Sequence, residues 1–128
     1  MNKVLILEGG YNEEHQVSLN TGKEIKKSLF NLKIKFDSIL VDPKNFSEMI
    51  DRYSNKYLCF NSLHGTFGED GTVQKILESK NFKYTHSSIS ASNIAFNKNL
   101  TKEKIKNTKI LTAKSFVQDI KTINKNKM

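Results

Sequence analysis

The stretch that decides the fold of this chain lies at residues 62–74 and reads SLHGTFGEDGTVQ. It follows an apolar run at residues 57–60 and precedes an amphipathic run at residues 73–80, so it predicts a loop that leads from a strand into a helix. Its glycines allow positive φ and a close approach of the backbone to a ligand. The pattern fits an ordinary β–α connection and a ligand-binding loop equally well, because ligands of α/β sheets bind at the carboxyl ends of strands.

Length and composition predict one globular domain. The chain has 128 residues, of which 37% are hydrophobic, and this is enough for one core. Its single cysteine, Cys59, lies in an apolar run, so we expect a small buried hydrophobe rather than a nucleophile. No apolar run reaches the roughly 18 residues of a membrane span, and residues 4–7 are too short for a signal peptide. We therefore expect a cytoplasmic protein with no membrane partner.

The net charge of +8 is concentrated near the carboxyl end. Residues 1–97 hold 12 basic and 11 acidic side chains, whereas residues 98–128 hold nine lysines against two acidic residues. These lysines alternate with Asn, Thr and Ile rather than with the aromatics and arginines of a nucleic-acid site. We favour a solvated lysine-rich surface and expect no nucleic-acid partner, with electrostatic binding to DNA as the weaker alternative.

Strand-like and helix-like segments alternate along the chain. The apolar runs predict strands at residues 4–7, 34–41, 57–60 and 82–84. The amphipathic segments predict helices at residues 17–32, 46–53 and 72–79, and the inward face of the first is assigned to Val17, Ile25, Leu29 and Leu32. This order predicts a three-layer, Rossmann-like α/β fold, with a parallel sheet and helices on both faces. The loops after the first and third strands should then meet at one edge.

Beyond residue 85 the pattern changes. Two short helices are predicted at residues 87–98 and 100–106, and a final strand at residues 115–117. The residues after Ile120 are polar and are predicted to fray.

Several common sites are excluded by spacing. Gly9 and Gly10 lack the third glycine of a dinucleotide-binding fingerprint, and the chain contains no P-loop. The three histidines do not show the paired spacing of a metal site, so no metal ligands are predicted.

Three segments resemble signatures of the D-alanine–D-alanine ligases. Residues 9–22 are similar to G-G-x-S-x-E-x-x-V-S-L-x-S-G, and residues 64–74 match H-G-x-x-G-E-D-G-x-x-Q at every fixed place. Residues 84–98 resemble Y-T-G-S-G-x-x-A-S-x-x-x-x-D-K. Compared with the residues usual in this family, the chain has Asn12 for Ser, Gln16 for Glu, His86 and Ser88 for Gly, and Asn97 for Asp.

The resemblance implies part of an ATP-dependent ligase of the ATP-grasp family, which joins two D-alanines through a D-alanyl phosphate for peptidoglycan. Residues 1–96 are implied to be the amino-terminal, substrate-binding (pre-ATP-grasp) domain, and residues 97–128 an incomplete start of the ATP-grasp domain. The remaining ligase domains would be partners if another chain encodes them, and the family is often homodimeric.

By the same resemblance, Glu14 holds the ammonium group of the first D-alanine and orients a catalytic group. Val17 and His64 are implied to lie at the same substrate, and Lys98 to reach ATP phosphates. The family's oxyanion-stabilising arginine and magnesium carboxylates have no counterpart here, so ATP and Mg²⁺ should bind poorly and the chain alone should be inactive. The rival interpretation is a non-catalytic α/β module for a small anion or a partner protein, with Glu14 a surface carboxylate and Lys98 an ordinary surface lysine.

Overall fold

The computed structural model describes residues 3–119 of the chain. The strands are β1 (Val4–Gly9), β2 (Phe36–Val41), β3 (Leu58–Asn61) and β4 (Lys83–Tyr84). The helices are α1 (His15–Asn31), α2 (Phe46–Ile50), α3 (Thr72–Ser79), α4 (Ile89–Phe96) and α5 (Lys98–Ile105). The strands form one parallel sheet in the order β2-β1-β3-β4. The α/β fold with a parallel sheet is therefore confirmed.

Strand β1 is the centre of the sheet, and all six of its residues are buried. Leu5 and Leu7 pack into a cluster with residues of α2 and α3, whereas Val4 and Ile6 pack with residues of α1. Each such fully buried side chain stabilises the fold by about 1.5–3 kcal/mol. Because the two sets alternate along one strand, helices cover both faces of the sheet, as predicted.

Helix α1 lies against β1 at a glycine. The Glu8 side chain is nearly buried, and its Oε1 lies 2.5 Å from the Nζ of Lys26 on α1. A Cβ at Gly22 would fall 2.1 Å from Oε2 of Glu8. Gly22 therefore provides the space in which this carboxylate lies between strand and helix.

The predicted inward face of the first helix is wrong at its two ends. Leu29 is buried and Ile25 packs beside it, but Val17 is 47% exposed and Leu32 is 67% exposed. The 17 residues of α1 span about 25 Å, whereas the six residues of β1 span about 20 Å. Val17 lies in the first turn of α1 and Leu32 follows its last residue, so both are away from the part of the helix where Ile25 and Leu29 pack against the sheet.

The predicted final strand at residues 115–117 is also wrong, because the structure assigns no strand there. Phe116 and Val117 are 85% and 76% exposed, and a run of β-forming residues becomes a strand only where a partner edge is available. The predicted frayed end after Ile120 lies outside the described residues. Within residues 3–119 no helix has the length and apolarity needed to cross a membrane.

Candidate functional site

The loops after β1 and β3 meet at the carboxyl edge of the sheet, as the sequence predicts. β1 and β3 are hydrogen-bonded neighbours, but the chain continues from β1 to β2 on one side and from β3 to β4 on the other. In a doubly wound sheet this divergence leaves a crevice between the two loops, and ligands bind in such crevices.

Two buried serines join the base of this crevice. Ser18 of α1 accepts a hydrogen bond from the Gly9 N–H at 2.8 Å and donates one to the Ser62 carbonyl at 2.8 Å. The Ser62 hydroxyl in turn donates to the Leu7 carbonyl at 2.7 Å. These bonds connect β1, α1 and the loop after β3 into one rigid layer, because buried polar groups that are fully paired are costly to separate.

Glu14 stands at the rim of the crevice, immediately before α1. Its side chain is exposed, and within residues 3–119 it accepts no hydrogen bond. A Cβ at Gly65, whose φ is +70°, would fall 2.4 Å from the Glu14 Oε2, so this carboxylate lies directly against the loop after β3. The cleft has a volume of about 720 Å³ and is lined by Asn12, Glu13, Glu14, Gly65, Thr66, Glu69 and Phe96.

The side chains that line this cleft carry negative charge, whereas the whole chain carries a net positive charge. Three of its lining residues are carboxylates and none is a lysine or arginine, although the chain carries a net charge of +8. Carboxylates placed together around one cleft attract a cation and repel an anion. The cleft therefore fits a small ligand with an ammonium group.

His64 begins the glycine loop beside this cleft. Its Nε2 lies 2.9 Å from the Thr21 hydroxyl on α1, and its Nδ1 lies 3.9 Å from Oε1 of Glu69. The Thr21 hydroxyl also donates to the Val17 carbonyl at 3.0 Å, so its oxygen is available to accept from an Nε2–H. Glu14, Val17 and Thr21 follow one another at near-helical spacing, so they lie on one side of the start of α1, where the Val17 side chain is exposed.

The two acidic residues of the glycine loop support its shape. Glu69 accepts the Gly65 N–H at 2.9 Å, and Asp70 accepts the Phe67 N–H at 3.0 Å and the Thr72 N–H at 2.9 Å. Partial burial raises the pKa of Asp70, but the hydrogen bonds from Thr72 and Phe67 outweigh it and hold that pKa below its ordinary value. Asp70 therefore acts on the loop and on the start of α3 rather than on a ligand.

A buried glutamine connects α3 to α4 behind the cleft. Gln74 is 1% exposed, and its Nε2 donates to the Ser92 hydroxyl at 2.8 Å. Nearby, burial lowers the pKa of His86, and His64 lowers it further while Glu69 raises it. Helix α4, which carries part of the third signature, is thus hydrogen-bonded to α3 at the end of the second signature.

Lys98 lies outside the cleft that Glu14 borders. It is exposed in the first turn of α5 and lines a neighbouring cavity, with Phe96 as the residue that borders both. In that second cavity the Nζ of Lys102 already donates to the Ala113 carbonyl and the Ser115 hydroxyl. The structure thus places Glu14 at the rim of the cleft, His64 beside it and Val17 on the adjoining turn of α1. Val17, His64 and Lys98 are not among the residues that line this cleft.

Sequence reasoning missed Asn12 and Thr21 as site residues. The only sequence signal for Asn12 was that it replaces the serine of the first signature. The only signal for Thr21 was that it lies within the same signature. Both act through side-chain contacts to residues more than 40 positions away, and no local pattern encodes such contacts. Among the described residues, no group of three or more His, Cys, Asp or Glu side chains is arranged to hold a metal ion.

The fold and the cleft define a doubly wound α/β domain with an acidic cleft at its switch point. The chain is 44% identical over 113 residues to the D-alanine–D-alanine ligase of Pelagibacter ubique, a match that covers 88% of this chain. It is 39% identical over 123 residues to the ligase of the same name from Wolbachia pipientis, which covers 96% of this chain. The chain belongs to the D-alanine–D-alanine ligase family.

Solved structures agree with this assignment. The D-alanine–D-alanine ligase of Bacillus anthracis complexed with ATP superposes on 98% of this chain with a TM-score of 0.75 and 29% identity. The enzyme of the same name from Aeromonas hydrophila gives a TM-score of 0.73 at 24% identity, which supports the fold. No protein-family model matches the chain. The chain spans 36–38% of the length of the Pelagibacter and Wolbachia relatives.

Proposed function

We propose that this chain supplies the first D-alanine site of a D-alanine–D-alanine ligase, which couples ATP to dipeptide formation for peptidoglycan. The observation that carries the proposal is the acidic cleft in which the Glu14 carboxylate faces the 64–66 segment with no hydrogen-bond donor among the described residues. An ammonium group supplies the missing donors and the missing positive charge. The rival anion-binding module is disfavoured by the same carboxylates, because they would repel its ligand.

In this proposal each residue has a distinct role. Glu14 binds the ammonium group, the exposed Val17 side chain contacts the methyl group, and His64 lies at the same substrate with its ring oriented by Thr21. A hydrogen bond between an ammonium group and a carboxylate is worth about 1.5–3 kcal/mol. Residues 1–96 form the substrate-binding unit, and residues 97–128 begin the nucleotide-binding unit.

The described residues include a group suited to an ATP phosphate but no cluster of ligands suited to a magnesium ion. ATP supplies the phosphoryl group that activates the first D-alanine, and the exposed ammonium of Lys98 is suited to hold one of its phosphates. Within residues 3–119, no three His, Cys, Asp or Glu side chains are arranged to hold a metal ion, so we assign magnesium to none of them. Stabilisation of the transferring phosphoryl and of the tetrahedral oxyanion requires further cationic groups. We therefore expect no phosphate release from ATP and D-alanine by the 128-residue chain alone.

The test is a chimera in which this chain replaces the matching segment of the Pelagibacter ubique relative. We expect D-alanine-dependent phosphate release by the chimera, and a kcat/KM for D-alanine about 10- to 150-fold lower in Glu14→Gln. Glu24→Gln, an exposed carboxylate of α1 away from the cleft, is the matched control and should change little. A folded, active chimera that is indifferent to Glu14→Gln would show that Glu14 is an ordinary surface residue.

A further inference from the structure

The side chain of Asn12 bridges the two loops that form the cleft. Its Nδ2 donates to the His64 carbonyl at 2.8 Å and to the Thr66 carbonyl at 3.2 Å. Its Oδ1 accepts the backbone N–H of Glu14 at 2.9 Å. One planar amide therefore connects the residue proposed to hold the ammonium with both ends of the segment opposite it.

Asn12 is the link between these loops at the level of the ligand. Within residues 3–119, no other member of residues 10–14 forms a hydrogen bond to residues 62–71. The bonds of Ser18 and Ser62 lie deeper, at the ends of the strands. Within the described part of the loop after β1, the hydrogen bonds to the 64–66 segment therefore come from one half-buried side chain, while the Thr21 hydroxyl of α1 contacts the His64 ring from the helix.

The chemistry of this bridge requires an amide. Two donor hydrogens face two carbonyl oxygens, and one acceptor oxygen faces an N–H, and among short side chains only asparagine offers this combination. Aspartate keeps the acceptor for Glu14 but turns a second negative oxygen toward the two carbonyls. Serine, which the resembled signature has at this position, has one donor hydrogen and a shorter reach.

We propose that Asn12 is a positioning residue that sets the distance across the cleft, and hence the geometry in which Glu14 meets an ammonium group. The contact is close, since a Cβ at Gly65 would lie 2.4 Å from the Glu14 Oε2 and 3.2 Å from the Asn12 Nδ2. Loss of the Asn12 bonds would allow this gap to widen at the loop after β1, because no other described member of residues 10–14 forms a hydrogen bond to residues 62–71. The effect of Asn12 on D-alanine binding rests on the proposed function, whereas the hydrogen-bonded bridge between the loops does not.

The first test uses the 128-residue chain and needs no ligand. Amide hydrogen exchange of Glu14 is measured by NMR in the wild type, Asn12→Asp and Asn12→Ala. We expect Glu14 exchange to rise about 10-fold in Asn12→Ala, which lacks the acceptor, and to stay within about 2-fold in Asn12→Asp, which keeps it. The Gly65 resonance should move in both variants. Unchanged Glu14 exchange in Asn12→Ala, or an unmoved Gly65 in both, would overturn the bridge.

The second test measures steady-state kinetics in the chimera. We expect Asn12→Asp to raise the KM for D-alanine at least about 10-fold while the KM for ATP stays unchanged. Asn55→Asp, an exposed position in the turn before β3, controls for the added charge. Equal rises in both KM values, or no rise, would overturn the positioning role. A wild-type chimera that ignores D-alanine would contradict the proposed function, while the exchange experiment still decides whether Asn12 joins the loops.

Discussion

Replacement of Gly22 by alanine should destabilise the protein, although glycine-to-alanine changes inside helices ordinarily do the opposite. Alanine in a helix interior gains about 1 kcal/mol over glycine. Here the new Cβ would lie 2.1 Å from Oε2 of Glu8 and 3.2 Å from its Cβ and Cδ. The carboxylate must therefore leave its position, and with it the contact of 2.5 Å to Lys26.

The size of the effect follows from these two terms. A hydrogen bond between charged groups is worth about 1.5–3 kcal/mol, and Glu8 is only 7% exposed, so water does not readily replace Lys26. The net loss for Gly22→Ala is about 0.5–2 kcal/mol, or a fall of roughly 2–8 °C in Tm. In the Glu8→Ala background the carboxylate is absent, and Gly22→Ala should be neutral or stabilising by up to about 1 kcal/mol.

The assay is urea unfolding followed by far-UV circular dichroism, with the four variants of the double-mutant cycle measured together. Ser28→Ala, at an exposed position of α1, calibrates the helix-propensity gain and should stabilise by about 0.5 kcal/mol. We expect a coupling of about 0.5–3 kcal/mol between positions 8 and 22. Additive effects, or stabilisation by Gly22→Ala in the wild-type background, would refute the argument that the glycine accommodates the carboxylate.

Two other groups give testable expectations. Burial raises the pKa of the Cys59 thiol to about 12, so a thiol reagent at pH 8 should modify it only at the rate of unfolding, and fast labelling of the native chain would contradict this. Asp70 has a lowered pKa in the folded state, so its contribution to stability is complete above the unfolded pKa of about 3.9 and is lost as pH falls through the folded value. Asp70→Asn should therefore be less stable than the wild type at pH 7, with a difference that shrinks as the pH of the urea titrations falls below about 3.9. A pH-independent difference would contradict the role of the ionised carboxylate.

The sequence predicted most of the fold because the relevant signals are local. A continuous apolar run such as residues 4–7 has no polar face to give to solvent, so it indicates a strand covered on both sides. The helix predicted at residues 72–79 matches α3 at both ends, since Gly71 breaks the chain before it with φ of +95° and the apolar spacing ends at Ser79. The buried face of α1 was less well predicted, because the sheet decides which of its apolar residues are covered.

The candidate site was predictable in part for the same reason. Loops that follow parallel strands gather at one edge of the sheet, and this rule is enough to predict that the segments of Glu14 and His64 lie together. The resemblance to family signatures supplied their roles, which remain proposals. The structure added Asn12 and Thr21, whose partners in the loop after β3 are 52 and 43 residues away along the chain.

What the sequence determined by itself is thus the alternation of strands and helices, the parallel sheet, the edge at which the loops gather and the family signatures within them. Only the tertiary structure decided the strand order β2-β1-β3-β4, the space at Gly22 for a buried carboxylate, and the amide of Asn12 across the cleft. The physical reason is that apolar periodicity and turn chemistry act over a few residues. Strand pairing and side-chain contacts between distant segments depend on how the whole core packs. That packing cannot be predicted from any single stretch of the sequence.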